Sequence, residues 1–192
     1  MIPFLGISDN EFIRGDIPMT KEEIRILVLT KAKISPTDTI LDIGAGTGSL
    51  SIEAALQAPQ GKVYAIEREP EGIALIRANA AKFSATNVEV ISGSAPLALT
   101  GLPAMNVILI GGSGGHLGEI LEKSKDLLKA KGRILITAVT IETLYDALHI
   151  MQAKPDFTVE AFGAQVTRIK ALKSSNMLQA LNPIYIIVCT KN

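Results

Sequence analysis

Apolar positions along the chain fall into two rhythms. Short continuous runs (TILDI from Thr39, KVYAIE from Lys62, VEVIS from Val88, NVILIGG from Asn106 and RILITAV from Arg133) have the length and β-branched content of buried strands. Between them, SIEAALQ, EGIALIRANAAKF, HLGEILEKSKDLLKA and TIETLYDALHIMQA repeat apolar residues at helical spacing. Ahead of the first strand, TKEEIRILVLTKA puts Ile24, Leu27 and Val28 on one helical face, and Thr20 with Glu23 has the spacing of a capping box. Pro70 and Gly132 stand where helices begin and end. This alternation predicts right-handed crossovers and a parallel sheet.

The last part of the chain changes style. FTVEAFGAQVTRIKAL and PIYIIVCT are β-like with no convincing helix between them, which predicts an antiparallel pair closing the sheet. Five parallel strands finished by a terminal hairpin is the plan of the seven-stranded methyltransferases, an α/β class. One domain over 1–192 is expected: an N-terminal capping segment and helix (1–35), cofactor-binding βα units (36–153) and a closing hairpin (154–192).

Composition narrows the function. Nearly half the residues are hydrophobic (47%) but only 4% are aromatic, which suits an Ala, Ile, Leu and Val core around a sheet covered on both faces. Nineteen basic and nineteen acidic side chains give a net charge of zero, which argues against a nucleic-acid backbone as partner. Cys189 is the single cysteine, so neither an intrachain disulfide nor a cysteine zinc cluster is expected, and its apolar run IYIIVCT points to a buried hydrophobe. No metal site is anticipated. The start MIPFLGISDNEF lacks signal-peptide features and no run has transmembrane length, so a cytoplasmic chain off the membrane is the expectation.

Candidate chemistry begins at LDIGAGTGS. Gly44, Gly46 and Gly48, directly after a strand and before a helix, allow a sharp turn that a ligand can approach at the main chain, with Ala45 and Thr47 between them. The spacing is G-x-G-x-G; the dinucleotide pattern G-x-G-x-x-G fails because Ser49 takes its last position. Glu67, ending the next strand, is placed to accept both hydroxyls of a ribose, with Arg68 beside it. Ser94 and Ala95 in the loop GSAP leave room for an adenine, although a serine hydroxyl accepts more weakly than the Asp common at that position. Asp42, just before the turn, either meets a methionine amino group or orders the loop.

Several segments, taken in order, resemble one family. DIPMTKEEIR, DIGAGTGSLSIEAA, VYAIEREPEGIALIRANA, GSAP, IGGSGG, GRILITAVTIETL and ALNPIYI are similar to the cobalamin-biosynthesis methyltransferases that methylate a precorrin at C-15 and decarboxylate its C-12 acetate. The likeness covers nearly the whole chain, and PMTKEE, IGGSGG and the final LNP are its specific parts. It implies a class I methyltransferase fold, S-adenosylmethionine as methyl donor, and a homotetramer. It also implies PMTKEE, with Thr20, over the methionine end of the cofactor. As a stand-alone chain it resembles the cobalt-early enzyme, whose substrate is cobalt-precorrin-6B and product cobalt-precorrin-7.

A macrocycle bearing many carboxylates needs cations. The acid-free stretch from Ala161 onward carries Arg168, Lys170 and Lys173, which could pair with the substrate, form a solvated basic face, or touch another subunit. Gly112, Ser113, Gly114 and Gly115 form a loop that a flat ligand could approach. His116 behind them is either a proton donor or acceptor, or a helix-start residue. Methyl transfer asks mainly for alignment, so no catalytic triad is expected and no residue is singled out as catalytic. Rival readings are a tRNA adenine methyltransferase, an NAD-dependent oxidoreductase, and a cofactor-binding subunit without turnover. Aromatic scarcity, the glycine spacing and the terminal hairpin count against the first two.

Overall fold

In the computed structural model, which describes residues 5–192, the apolar runs become one seven-stranded sheet in the order β3-β2-β1-β4-β5-β9-β6. The first four residues of the segment read as lacking a leader lie outside the described residues. Strands β1 (Thr39–Ile43), β2 (Lys62–Glu67), β3 (Val88–Ser92), β4 (Met105–Ile110) and β5 (Leu128–Ala138) pair in parallel. β6 (Phe157–Ala164) and β9 (Ile184–Lys191) complete it, and β9 inserts antiparallel between β5 and β6. The sheet is therefore the mostly parallel one, closed by an antiparallel pair, that the sequence pattern predicts.

Alternate residues of each strand feed two separate cores, as a parallel sheet covered on both faces requires. Leu41, Ile43, Ile108 and Ile136 face α4 (Leu117–Leu127) and α5 (Ile141–Gln152), through Ile120, Leu121 and Met151. Ile40, Val107, Leu109 and Leu135 join the opposite cluster with Val28 and Leu29 of α1 (Glu22–Ala32) and Ile52 of α2 (Ser49–Gln57). α3 (Pro70–Lys82) starts with its proline in the first turn, where the missing N–H costs nothing. Cys189 is fully buried, and burial pushes its thiol up to about 12, so it packs as a hydrophobe.

Two expectations change. FTVEAFGAQVTRIKAL is not one strand: the chain leaves the sheet at Gln165 and forms a separate hairpin, β7 (Thr167–Ala171) with β8 (Asn176–Ala180), before returning as β9. Nor is Thr20 a helix cap. The N-cap of α1 is Lys21, with no side-chain cap bond, and the Glu22 amide instead donates to Asp9 Oδ1 at 2.9 Å. Glu23, the other half of the supposed capping box, turns toward Arg168.

Asp9 belongs to a buried ion cluster that fixes the N-terminal segment. Arg25, with no exposed surface, donates to Asp9 Oδ1 and Glu53 Oε1, each at 2.7 Å, and to the carbonyls of Thr20 and Ile7. Asn79 of α3 exchanges hydrogen bonds with the backbone of Ile13, and the Asp16 amide donates to Glu71. The segment before α1 is thereby held against α1, α2 and α3, and its last residues, Ile17 to Lys21, reach the wall of the crevice at the strand ends.

Removing one partner of such a cluster leaves buried charge uncompensated. Arg25→Ala should cost about 3–5 kcal/mol in urea unfolding. Thr20→Ala should stay within about 0.5 kcal/mol of wild type, against about 1 kcal/mol for a true cap.

Candidate active site

Strand order reverses between β1 and β4, and the crevice at that switch point is where open α/β sheets hold ligands. The turn after β1 has Gly44, Gly46 and Gly48 at φ of 72°, 57° and 79°, a region open to glycine at little cost. A Cβ on Gly44 would lie 2.8 Å from the Gly112 amide nitrogen, so the loops after β1 and β4 meet backbone to backbone. The Gly111 and Gly112 amides donate to the Ile43 carbonyl and complete that contact.

Glu67 holds the turn from β2. One carboxylate oxygen accepts from the Gly46 amide at 2.8 Å; the other accepts from the amides of Arg68 and Glu69 at 2.8 and 2.9 Å. A carboxylate has about four acceptor positions, so capacity for hydroxyl donors remains. Asp42 lies under the same turn with 1% of its surface exposed. Its Oδ2 accepts from the Ser51 hydroxyl, whereas Oδ1 is buried without a partner among the described residues. Burial pushes this carboxyl up to about 6 against the opposing Ser51 bond, and the nearby charge of Glu67 adds to the rise.

A cavity of about 1000 Å³ opens above these groups. Asp42, Gly44, Ala45, Gly46 and Glu67 line one end. Thr20 lies on its wall together with Ile17, Pro18 and Met19 of the covering segment. Arg68, Ser94 and Ala95 form another part of the wall. Gly112, Ser113, Gly114 and His116 follow from the loop after β4, with Glu119 one helical turn on. His116 Nδ1 lies 3.2 Å from Glu119 Oε1.

Not every candidate comes to the cavity. Thr47, Gly48 and Gly115 are not on its wall. Gly48 packs against Ile76 of α3, and Thr47 is buried with its carbonyl accepting from Asn79. Arg168 and Lys170 also lie off the cavity, on the β7–β8 hairpin. Arg168 forks onto Glu23 at 3.1 and 2.8 Å and reaches Asp9 at 3.1 Å, so two carboxylates of its own chain already occupy it. These bonds push its pKa above the usual arginine range.

Other lining residues escaped sequence reasoning. Leu97, Val139, Leu181, Asn182 and Ile184 line the cavity. Because β9 runs antiparallel, its first residues arrive beside the end of β5, with Tyr185 opposite Ala138. The signal lies in the final LNP, one of the segments that carry the family resemblance, whose Leu181 and Asn182 reach the cavity wall.

This topology, with a glycine turn after β1 and a carboxylate ending β2, is that of a class I methyltransferase. Comparison with known proteins narrows it. Residues 11–191 match the family model described as a precorrin methyltransferase domain. The chain is 35% identical over 186 residues to the cobalt-precorrin-6B C(15)-methyltransferase (decarboxylating) of Salmonella typhimurium, covering 96% of each. The crystal structure of precorrin-6y C5,15-methyltransferase from Geobacter metallireducens GS-15 superposes with a TM-score of 0.92 at 38% identity, covering 97% of this chain and 98% of that one. The precorrin 8W decarboxylase of Methanobacterium thermoautotrophicum gives 0.89 at 35% identity, with 95% and 98% covered. The chain belongs to the precorrin methyltransferase family.

Asp42 makes stability depend on pH. Its native pKa of about 6 stands above the ordinary 3.8, so its contribution is fully present below about pH 4 and is lost as pH rises through 6. Two pH units correspond to roughly 3 kcal/mol. Urea unfolding should show Asp42→Asn gaining on wild type between pH 4 and pH 7; a constant difference would contradict the buried, unpaired carboxylate.

Proposed function

We propose that this chain transfers a methyl group from S-adenosylmethionine to C-15 of cobalt-precorrin-6B and removes the C-12 acetate carboxyl as carbon dioxide. The observation that carries the reading is one cavity with a polar end built for the donor and volume to spare. About 1000 Å³ is at the top of the range for small-molecule sites, which leaves room for a second ligand beside the first.

The residues present fit the donor. The orphaned Asp42 Oδ1 asks for a hydrogen-bond donor, and a methionine ammonium supplies one with the matching charge. Glu67 takes the ribose hydroxyls, the glycine turn admits the methionine chain, and Ser94 and Ala95 border the adenine. Thr20 and its neighbours close over the methionine end. When bound, the sulfonium supplies an electrophilic methyl group. The protein's own task is alignment and exclusion of water, which the covering segment provides. Ile17, Leu97 and Val139 offer apolar surface to the flat macrocycle, while Lys21 and Arg68 offer charge to its carboxylates. Arg168 is replaced in that role by these two residues.

The same reading includes a cytoplasmic location and no nucleic-acid partner. No described helix is long and apolar enough to cross a membrane. It includes a homotetramer, supported by the β7–β8 hairpin. Ile169 and Leu178, registered opposite one another, are 69% and 72% exposed, an arrangement that water disfavours and a subunit contact would cover. Leu178→Glu should lower the mass in light scattering below four chains while circular dichroism stays unchanged; an unaltered mass would remove the hairpin from the assembly.

The function is tested by anaerobic incubation with S-adenosylmethionine and cobalt-precorrin-6B, followed by mass spectrometry of the tetrapyrrole. A product with one methyl gained and one carbon dioxide lost is expected. An unchanged tetrapyrrole, with bound S-adenosylmethionine demonstrated, would overturn the assignment.

A further inference from the structure

The proposed reaction moves two protons, and this inference rests on that reading. C-15 gains a methyl group and releases its hydrogen as a proton. The C-12 acetate breaks its bond to the carboxyl carbon and carbon dioxide leaves. The electron pair left on the methylene takes a proton and becomes a methyl group. One proton departs and one arrives, so a single group that accepts and returns a proton balances the sequence with no oxidant, reductant or net acid.

The cavity wall offers few groups for that task. Lys21 and Arg68 serve as charge partners for the substrate carboxylates, and Arg68 Nε already donates to Glu69 at 3.0 Å. Asp42 is buried under the glycine turn with Oδ2 bound to Ser51, and Glu67 accepts three backbone amides. Glu69 pairs with Arg68 at 3.0 Å. His116 and Glu119 remain, on the loop after β4 and the first turn of α4. Histidine is the side chain that exchanges protons near neutrality.

We propose that His116 carries the proton between C-15 and the carbon that loses carbon dioxide, with Glu119 as its positioning residue. The Glu119 carboxylate, 3.2 Å from Nδ1, holds the ring proton of neutral His116 on that nitrogen and leaves Nε2 to accept and return one. His116 is the N-cap of α4, but its ring makes no cap bond; the helix uses its carbonyl, which accepts from the Ile120 amide. The ring is therefore spared for chemistry. With 56% of its side chain exposed, it reaches solvent until a macrocycle laid over the mouth covers it.

The test compares wild type, His116→Ala, His116→Gln and Glu119→Gln in the same anaerobic assay, alongside calorimetric titration with S-adenosylmethionine. His116→Ala and His116→Gln should lose about 10²–10⁴-fold in turnover at unchanged S-adenosylmethionine affinity, and added imidazole should restore part of the alanine variant's rate. Glu119→Gln should lower kcat with KM for the tetrapyrrole unchanged. Wild-type turnover by His116→Ala, or a loss confined to KM and untouched by imidazole, would overturn the proton role while leaving the methyltransferase reading intact. Failure of the wild-type enzyme to convert the tetrapyrrole would overturn both.

Discussion

The carboxylate of Glu67 holds the site together. Its bond to the Gly46 amide ties the turn after β1 to the end of β2, and its second oxygen fixes the first residues of the loop leading to α3. α3 can approach because residue 72 is glycine: a Cβ there would lie 2.7 Å from Glu67 Cγ. The turn in turn rests backbone to backbone on the loop after β4. Two loops thus meet on the Glu67 side chain, and the third is joined to them through the backbone of the glycine turn.

The second constraint comes from the opposite direction in the chain. Asp9 accepts from Arg25, Arg168 and the Glu22 amide. One carboxylate therefore links the covering segment, α1 and the β7–β8 hairpin. Arginine suits this place because its planar fork satisfies several acceptors at once. The segment that closes the cavity and the hairpin that projects into solvent are joined through the same charges.

The sequence made the fold legible wherever the pattern is local. VEVIS is β3 residue for residue, and Pro70 opens α3. The glycine turn was readable because three glycines between strand and helix leave few alternatives, and Asp42 and Glu67, at the strand ends beside it, line the cavity. What stayed hidden depends on distant partners. The T-x-x-E spacing at Thr20 is real, but Asp9, thirteen residues before Glu22, takes the Glu22 amide. Arg168 looked free in an acid-free stretch, yet its partners lie 145 and 159 residues away. The alternation through Gln165–Leu172 continues that of β6, and only the absence of a pairing edge shows that the chain has left the sheet. The LNP contribution to the cavity follows from the antiparallel insertion of β9, which sets where its first residues arrive.

The central claim is that one cavity holds the methyl donor with its ammonium on Asp42 and its ribose on Glu67. A crystal structure with S-adenosylhomocysteine tests it most directly. The account predicts the ligand's amino nitrogen within hydrogen-bonding distance of Asp42 Oδ1, its ribose hydroxyls on Glu67, and adenine against Ser94 and Ala95. A ligand bound elsewhere, with Asp42 Oδ1 still unpartnered, would contradict it.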